Sequence, residues 1–348
     1  MANFLDYITA RAQGLYWNEL KSKESEVPFL GDELFPSRKK IGLGLDWIKG
    51  ANQASVVLHL SAFDAKVLKR NRIGFKTMSA KMPFFKDSLD IDEELRQKLL
   101  MLGESQIQYI QEIIRKIFDD NATLLKSAKV TVERMRMQLI TTGSIAIANN
   151  GQEYLYDYGM EEYQKQTVSK SWADPSADII ADIQNYQDIM IAKTGVKPTR
   201  LVMRTSMFRN IMKNTNIKNA VYVFGQGNVN VSEGAVKAYL AEQLGITGIA
   251  LNDKFYVDEE GNTQYYVPAD TVVMLPEGQI GTTWYGTTPE EADLLGSKEA
   301  DVFIVDTGVA ITVTKETDPV RKVTKVSEIC LPSAENIDKV LIIDALGA

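Results

Sequence analysis

Side chains able to do covalent or metal chemistry are scarce in this sequence. Its 348 residues include one cysteine, Cys330, and one histidine, His59. A single thiol excludes an internal disulfide, a CxxC redox pair and a thiolate zinc site. A single imidazole excludes HExxH and any multi-histidine metal centre. No GxSxG, GxxxxGKS/T or GxGxxG run occurs. The nearest glycine clusters, Gly42-Leu43-Gly44 and Gly225-Gln226-Gly227, lack the spacing that cradles a phosphate at a helix start. Carboxylates remain. Asp119 and Asp120 are placed to cap a helix before they are an acid/base couple. Asp258, Glu259 and Glu260 fall in a hairpin turn without EF-hand spacing. Cys330 falls in a strand, where a free thiol behaves as a small apolar side chain, and His59 sits in an apolar run. No catalytic residue, cofactor or metal site is expected, and an α/β enzyme working through carboxylates alone is the weaker alternative.

Charge is more informative than nucleophiles. The net charge is −7, against the basic excess of a general nucleic-acid binder. It is unevenly placed. Arg38, Lys39, Lys40, Lys49, Lys66, Lys69, Arg70, Arg72, Lys76, Lys81 and Lys86 are opposed in their stretch only by Asp46 and Asp64. From Glu242 to Asp301 the balance reverses, with only Lys254 and Lys298 opposing the carboxylates. A basic and an acidic segment in one chain suggest complementary surfaces on neighbouring copies; two solvated faces are the plainer explanation.

The elements that position these residues read as follows. Hydrophobic residues at 45% and charged residues at 24% are ordinary globular composition, so the chain is neither disordered nor a simple coiled coil. No apolar run approaches a membrane span. The start has an early acid and no apolar block, so a soluble protein that stays where it is made is expected. Residues 2–24 form an amphipathic helix with Phe4, Leu5, Ile8, Ala12, Leu15, Tyr16 and Leu20 on one stripe, and Pro28 and Pro36 then hold an extended strip. Residues 55–60 and 72–78 pair as a long hairpin with Lys66 to Arg72 near its middle. Two helices follow, the second capped by Asp119 to Asn121 and ending at Gly143. Asn149-Asn150-Gly151 turns a hairpin between strands 144–148 and 153–158. Residues 176–194 are helical, 214–235 a mobile loop, and 255–266 a hairpin. Strands at 302–305, 309–314, 323–331 and 339–343 form one sheet beneath the helical region 91–142, which serves as a spine. Helices and strands alternate between 172 and 300 as one compact insert.

The stretches FLGDELFPSRKKIGLGLDWIKG (29–50) and LSAFDAKVLKRNRIGFKTMSAKMPFFK (60–86) resemble the major capsid proteins of tailed bacteriophages, and within them the lambda-type capsid protein E family. The ending DPVRKVTKVSEICLPSAENIDKVLIIDAL (318–346) is similar to that family's closing strands. The resemblance implies an α+β chain of the Hong Kong 97-type capsid fold. Residues 1–50 would be the N-terminal arm and 51–86 the extended loop. Residues 87–171 with 301–348 would be the peripheral domain, its long spine helix over a sheet, and 172–300 the inserted α/β axial domain. It implies a homo-oligomer of pentamers and hexamers in a shell around double-stranded DNA, without sequence-specific binding and without a membrane. Virion and, during assembly, host cytoplasm are the implied locations. A portal, a decoration protein and, as no coiled-coil extension precedes the arm, a separate scaffolding protein are the implied partners. Lys66, Lys69, Arg70, Arg72 and Lys76 are the expected intersubunit contacts, by charge. Some relatives cross-link a loop lysine to an asparagine; Asn336 is the candidate here, but the basic surroundings of the loop lysines point to a non-covalent shell. An encapsulin-like cargo shell of the same fold is the alternative.

Overall fold

The computed structural model describes residues 7–23, 28–49, 76–91, 93–94, 97, 107–149, 152–221, 231–318 and 320–347. They belong to two compact units, each built from three separate stretches of chain. The first draws on Met1–Leu45, Ala80–Arg134 and Thr282–Ser333, the second on Asp46–Ser79, Met135–Gly281 and Ala334–Ala348.

The first unit is organised by one long strand. β16 (Val320–Ser333) pairs with β15 (Val309–Thr317) and, over Lys322 to Ile329, with β4 (Phe84–Ile91). β13 (Thr282–Tyr285) continues along its last residues and carries β1 (Ser37–Lys39) in parallel, while β14 (Asp301–Val305) pairs with β15. Alternation along β16 sends Lys322, Thr324, Val326 and Glu328 to one buried face. Thr324 Oγ1 there accepts from Gln13 Nε2 at 3.1 Å and from Asn121 Nδ2 at 3.4 Å, so two helices are tied to one strand residue. The first is α1 (Ala10–Lys23), which lies on β14 and β15 of its own chain. Its buried residues are Ala10, Gln13, Gly14 and Trp17, and Leu15 is exposed. The expected stripe through Ala12, Leu15 and Leu20 is therefore rotated. The cause is close approach: a Cβ on Gly14 would stand 2.3 Å from Phe303 Cδ1, so the bare glycine, which no hydrophobic periodicity reports, faces the sheet. A short helix, α2 (Leu30–Leu34), follows, with the buried Glu133 accepting from Gly31 N at 3.1 Å.

The second helix on Thr324 is α3 (Ile107–Thr142), 36 residues and about 54 Å at 1.5 Å per residue. Asp119, Asp120 and Asn121 do not cap a new helix, as the sequence suggested; the helix runs straight through them. Asn121 is buried on the strand, and Tyr16 Oη donates to Asp119. Polar residues that mimic a cap are here the contacts of the helix with its surroundings. β2 (Gly44–Lys49) pairs with β3 (Lys76–Lys81), bracketing residues 50–75, which lie outside the described residues.

The second unit is an α/β layer. Its sheet runs β7 (Lys165–Thr167), β17 (Leu341–Asp344), β12 (Thr271–Leu275), β8 (Arg200–Met203), β9 (Gly248–Leu251), with both antiparallel and parallel pairs. Every residue of the central β12 is buried, as expected of a strand covered on both faces. Four helices pack with it: α4 (Ile179–Thr194), α5 (Thr205–Lys213), α6 (Thr215–Val221) and α7 (Glu233–Leu244). Asp178 caps α4 by accepting from Ala181 N at 3.2 Å, and Gly195, at φ 72°, ends it in the left-handed conformation. Trp172, Phe208, Met190, Leu240 and Ile343 share the core. Two hairpins complete the unit, β5 (Ser144–Asn149) with β6 (Gln152–Asp157) and β10 (Phe255–Val257) with β11 (Thr263–Tyr265).

Two expectations change here. The four last strands do not form one sheet, because β17 pairs with β12 and β7 in the second unit. The turn ahead of it is held by Gln164, whose Nε2 donates to Ile337 O at 2.6 Å and Val340 O at 2.9 Å. And residues 214–235 are not a loop throughout: the buried Asn214 donates to Ala177 O at 2.7 Å and accepts from Ile217 N at 3.1 Å, opening α6. Residues 222–230 lie outside the described residues.

Candidate assembly surfaces

Of the five expected contact residues, Lys66, Lys69, Arg70 and Arg72 lie outside the described residues, and Lys76 opens β3. What the structure does place is the anchorage of that segment. Trp47 of β2 is buried with its ring 5.3 Å from Tyr158, and Lys49 Nζ donates to Gly159 O. Burial, with a smaller push from neighbouring Tyr156 and Glu335, raises the Tyr158 phenol far above its ordinary range, so it stays neutral. Beside it, burial pushes Tyr156 up to about 12. Aromatic packing thus fixes β2, the strand that precedes residue 50.

The charge asymmetry seen in the sequence is met in part within the chain. β1 brings Lys39 of the basic stretch onto Glu291 of the acidic one. Glu290, buried in a single turn of π-helix, accepts from Lys325 Nζ at 2.6 Å and Ser327 Oγ at 3.0 Å. Burial alone would raise its pKa, but the lysine and serine hydrogen bonds outweigh that, and it lies below the usual glutamate value. These carboxylates bind their own sheet, which narrows the acidic surface left for a neighbour.

The remaining candidates fall where bland chemistry puts them. Cys330 is buried opposite Tyr285 in the sheet. Asp258 Oδ1 accepts from Glu260 N at 3.1 Å and Asn262 N at 2.7 Å, and these bonds lower its pKa; it closes a hairpin turn. Asn336 has both ends of its amide engaged: Nδ2 donates to Gln279 O at 3.0 Å, and Oδ1 accepts from Lys339 Nζ at 2.8 Å. Asp338 nearby is raised by burial. Among the described residues, no group of three or more His, Cys, Asp or Glu could hold a metal, and no helix is long and apolar enough to cross a membrane.

One surface escaped the sequence reading. In β10 and β11 the register sets Phe255 opposite Tyr265 and Val257 opposite Thr263, on one face. Phe255 is 59% exposed, Val257 60% and Tyr265 43%, so this face is both apolar and open. Its signal was the alternation Phe255-Tyr256-Val257 against Thr263-Gln264-Tyr265. That pattern fixes two faces but not which one is covered; Tyr256, packed at a tilt against Tyr266 with ring centroids 5.1 Å apart, turned inward.

Solved structures share the arrangement over almost the whole chain. A prophage chain of Escherichia coli CFT073, assigned as a capsid protein, matches with a TM-score of 0.60 at 17% identity, over 97% of this chain and 99% of that one. A phage-related protein of Bordetella bronchiseptica RB50 matches with a TM-score of 0.56 at 11% identity, over 98% of each. The capsid chain of cyanophage A-1(L) matches with a TM-score of 0.50 at 11% identity, over 92% of this chain and 93% of that one. The fold is the Hong Kong 97-type phage capsid fold. The sequence model of phage major capsid protein E matches residues 11–307, and the chain belongs to that family of major capsid proteins, whose role is structural.

Proposed function

We propose that this chain is the repeating subunit of the icosahedral head of a tailed phage or prophage, assembling through pentamers and hexamers into a shell that encloses double-stranded DNA. The family match over residues 11–307 carries the reading. Membership in a structural family, together with the absence of a catalytic motif in the sequence, supports a role without enzymatic activity. The net charge of −7 supports containment rather than sequence-specific binding, because an acidic wall repels packed phosphates.

On this reading residues 1–50 act as the arm, 51–86 as the extended loop, 87–171 with 301–348 as the peripheral domain and 172–300 as the axial domain. Lys66, Lys69, Arg70, Arg72 and Lys76 then reach an acidic surface of a neighbour. A separate scaffolding protein directs assembly in the host cytoplasm, a portal occupies one vertex, and a decoration protein reinforces the mature virion. Each contact can be individually weak, because many engage at once. Electron microscopy of the chain co-expressed with its scaffolding partner is the test. Closed icosahedral particles are expected, and a monomer that stays dispersed at high concentration under every condition tried would overturn the reading.

A further inference from the structure

We infer that the open face of the β10–β11 hairpin docks on the α5–α6 surface of a second copy of this chain, closing a ring of like contacts. The inference rests on the capsid reading above and names the residues of one interface within it.

The hairpin is an isolated two-stranded sheet, marginal by itself in water. One face is held by Tyr256 against Tyr266, and Asp258 closes the turn. Its other face carries Phe255 and Tyr265, edge to face at 6.1 Å, with Val257 beside them. The Arg204 guanidinium sits over Tyr265, 3.6 Å from the ring centroid, and holds that ring while Phe255 and Val257 stay open. Three adjoining side chains this exposed on one face mark an interaction site more than a solvated surface.

Charge says what covers it. Arg204 pairs with Asp253 within the chain, at 3.8 Å; beyond that pair the hairpin segment up to Glu260 carries Asp258, Glu259 and Glu260 against Lys254, a net of −2. The stretch Thr205 to Val221, which forms α5 and α6, carries Arg209, Lys213 and Lys218 and no acid, a net of +3. α5 buries Met207, Phe208 and Ile211 and turns Arg209 and Lys213, one helical turn apart, to solvent. The two surfaces share a root, where Thr205 N donates to Asp253 Oδ1 at 3.0 Å, so they are rigidly joined within one unit. A chain that bears two different complementary patches on one rigid unit pairs patch to opposite patch in a heterologous contact, which closes into a ring when the rotation closes. Opposite charge sets the register, and the apolar face supplies the burial.

Two experiments test this. In the first, Val257→Cys and Lys213→Cys are combined in one chain and oxidised; the native Cys330 is buried and does not compete. Disulfide-linked multimers, absent from either single variant, are expected, and monomer alone would overturn the docking. In the second, Glu259→Lys with Glu260→Lys, and separately Lys213→Glu with Lys218→Glu, should each lower the yield of closed particles at least tenfold with unchanged circular dichroism, and all four together should restore it. Normal yield from both pairs would overturn the inference. Loss without restoration would overturn it as well, and would assign the surfaces to a different partner, such as a scaffolding protein. Wild-type particles without the cross-link sink the docking alone; a wild-type chain that never forms particles sinks the capsid reading itself.

Discussion

Gln164→Leu isolates the contact that draws the end of the chain into the second unit. Gln164 is wholly buried, and its amide donates to Ile337 O at 2.6 Å and Val340 O at 2.9 Å while accepting from Glu161 N at 2.9 Å. Leucine has nearly the same volume, so the change removes hydrogen bonds without opening a cavity. Val340 O then loses its donor and Glu161 N its acceptor, at about 1–3 kcal/mol each, while Ile337 O keeps the Val340 N–H. The apolar side chain returns about 1 kcal/mol of transfer energy, leaving a net loss of about 3 kcal/mol. One decade in an equilibrium constant is about 1.4 kcal/mol, so β17 and β12 amides should exchange with deuterium roughly 100-fold faster in the unassembled protein. Exchange in β15, which belongs to the other unit, is the internal control. Gln166→Leu is the chemical control: its Nε2 makes one bond, to Tyr163 O at 3.0 Å, at a partly buried site, and should change exchange less than about tenfold. Acceleration below threefold at β17, or equal acceleration in both sheets, would refute the claim that Gln164 pins this strand.

Three further outcomes follow from the surfaces. Reversing Lys69, Arg70 and Arg72 to glutamate should block shell formation and leave circular dichroism intact, and assembly of the parent should weaken with added salt; normal shells from the triple variant would remove the loop from the interface. The Glu290 carboxylate has a depressed pKa, so the stability it gives is present above the unfolded glutamate value and is lost as pH falls through its folded value. Glu290→Gln should therefore flatten the acid limb of a stability profile and, by leaving Lys325 without its partner, cost roughly 3 kcal/mol near neutral pH; an unchanged acid limb would contradict this. Mature particles boiled in detergent should run as one band near the chain mass of 38.9 kDa, since the Asn336 amide is already engaged at both ends within the chain; a covalent ladder abolished by changing Asn336 would overturn that.

The elements that were legible in the sequence are those whose signal is local. Gly195 ends α4 as expected, because a left-handed cap acts over a few residues, whereas the start expected at 176 falls at Ile179, where Asp178 caps it. Asn149-Asn150-Gly151 announced the β5–β6 pair because turn chemistry sets register. The errors came where a distant partner decides. Gly14 faces inward because Phe303, far along the chain, comes close, and Asn121 fails to cap because Thr324 claims its side chain. The sheet that β17 joins depends on β12 and β7, and its own residues, LIID, fit either sheet equally well.

The same distinction explains what could be read of function. Catalysis by histidine clusters or paired thiolates can be argued against from residue types alone, because it needs those atoms whatever the fold. An interface needs no rare atom, so composition shows only that complementary charge exists. Where it lies is a matter of folding. Lys39 and Glu291, from the basic and acidic stretches, meet inside one chain, and Glu290 is taken by Lys325. Beyond the Arg204–Asp253 pair and the Thr205–Asp253 bond that join them, α5 and α6 keep a net +3 and the hairpin segment a net −2, with Arg209 and Lys213 turned outward. Charge paired within its own chain holds the fold; charge that the fold leaves facing solvent, next to an open aromatic face, is what a second copy can use.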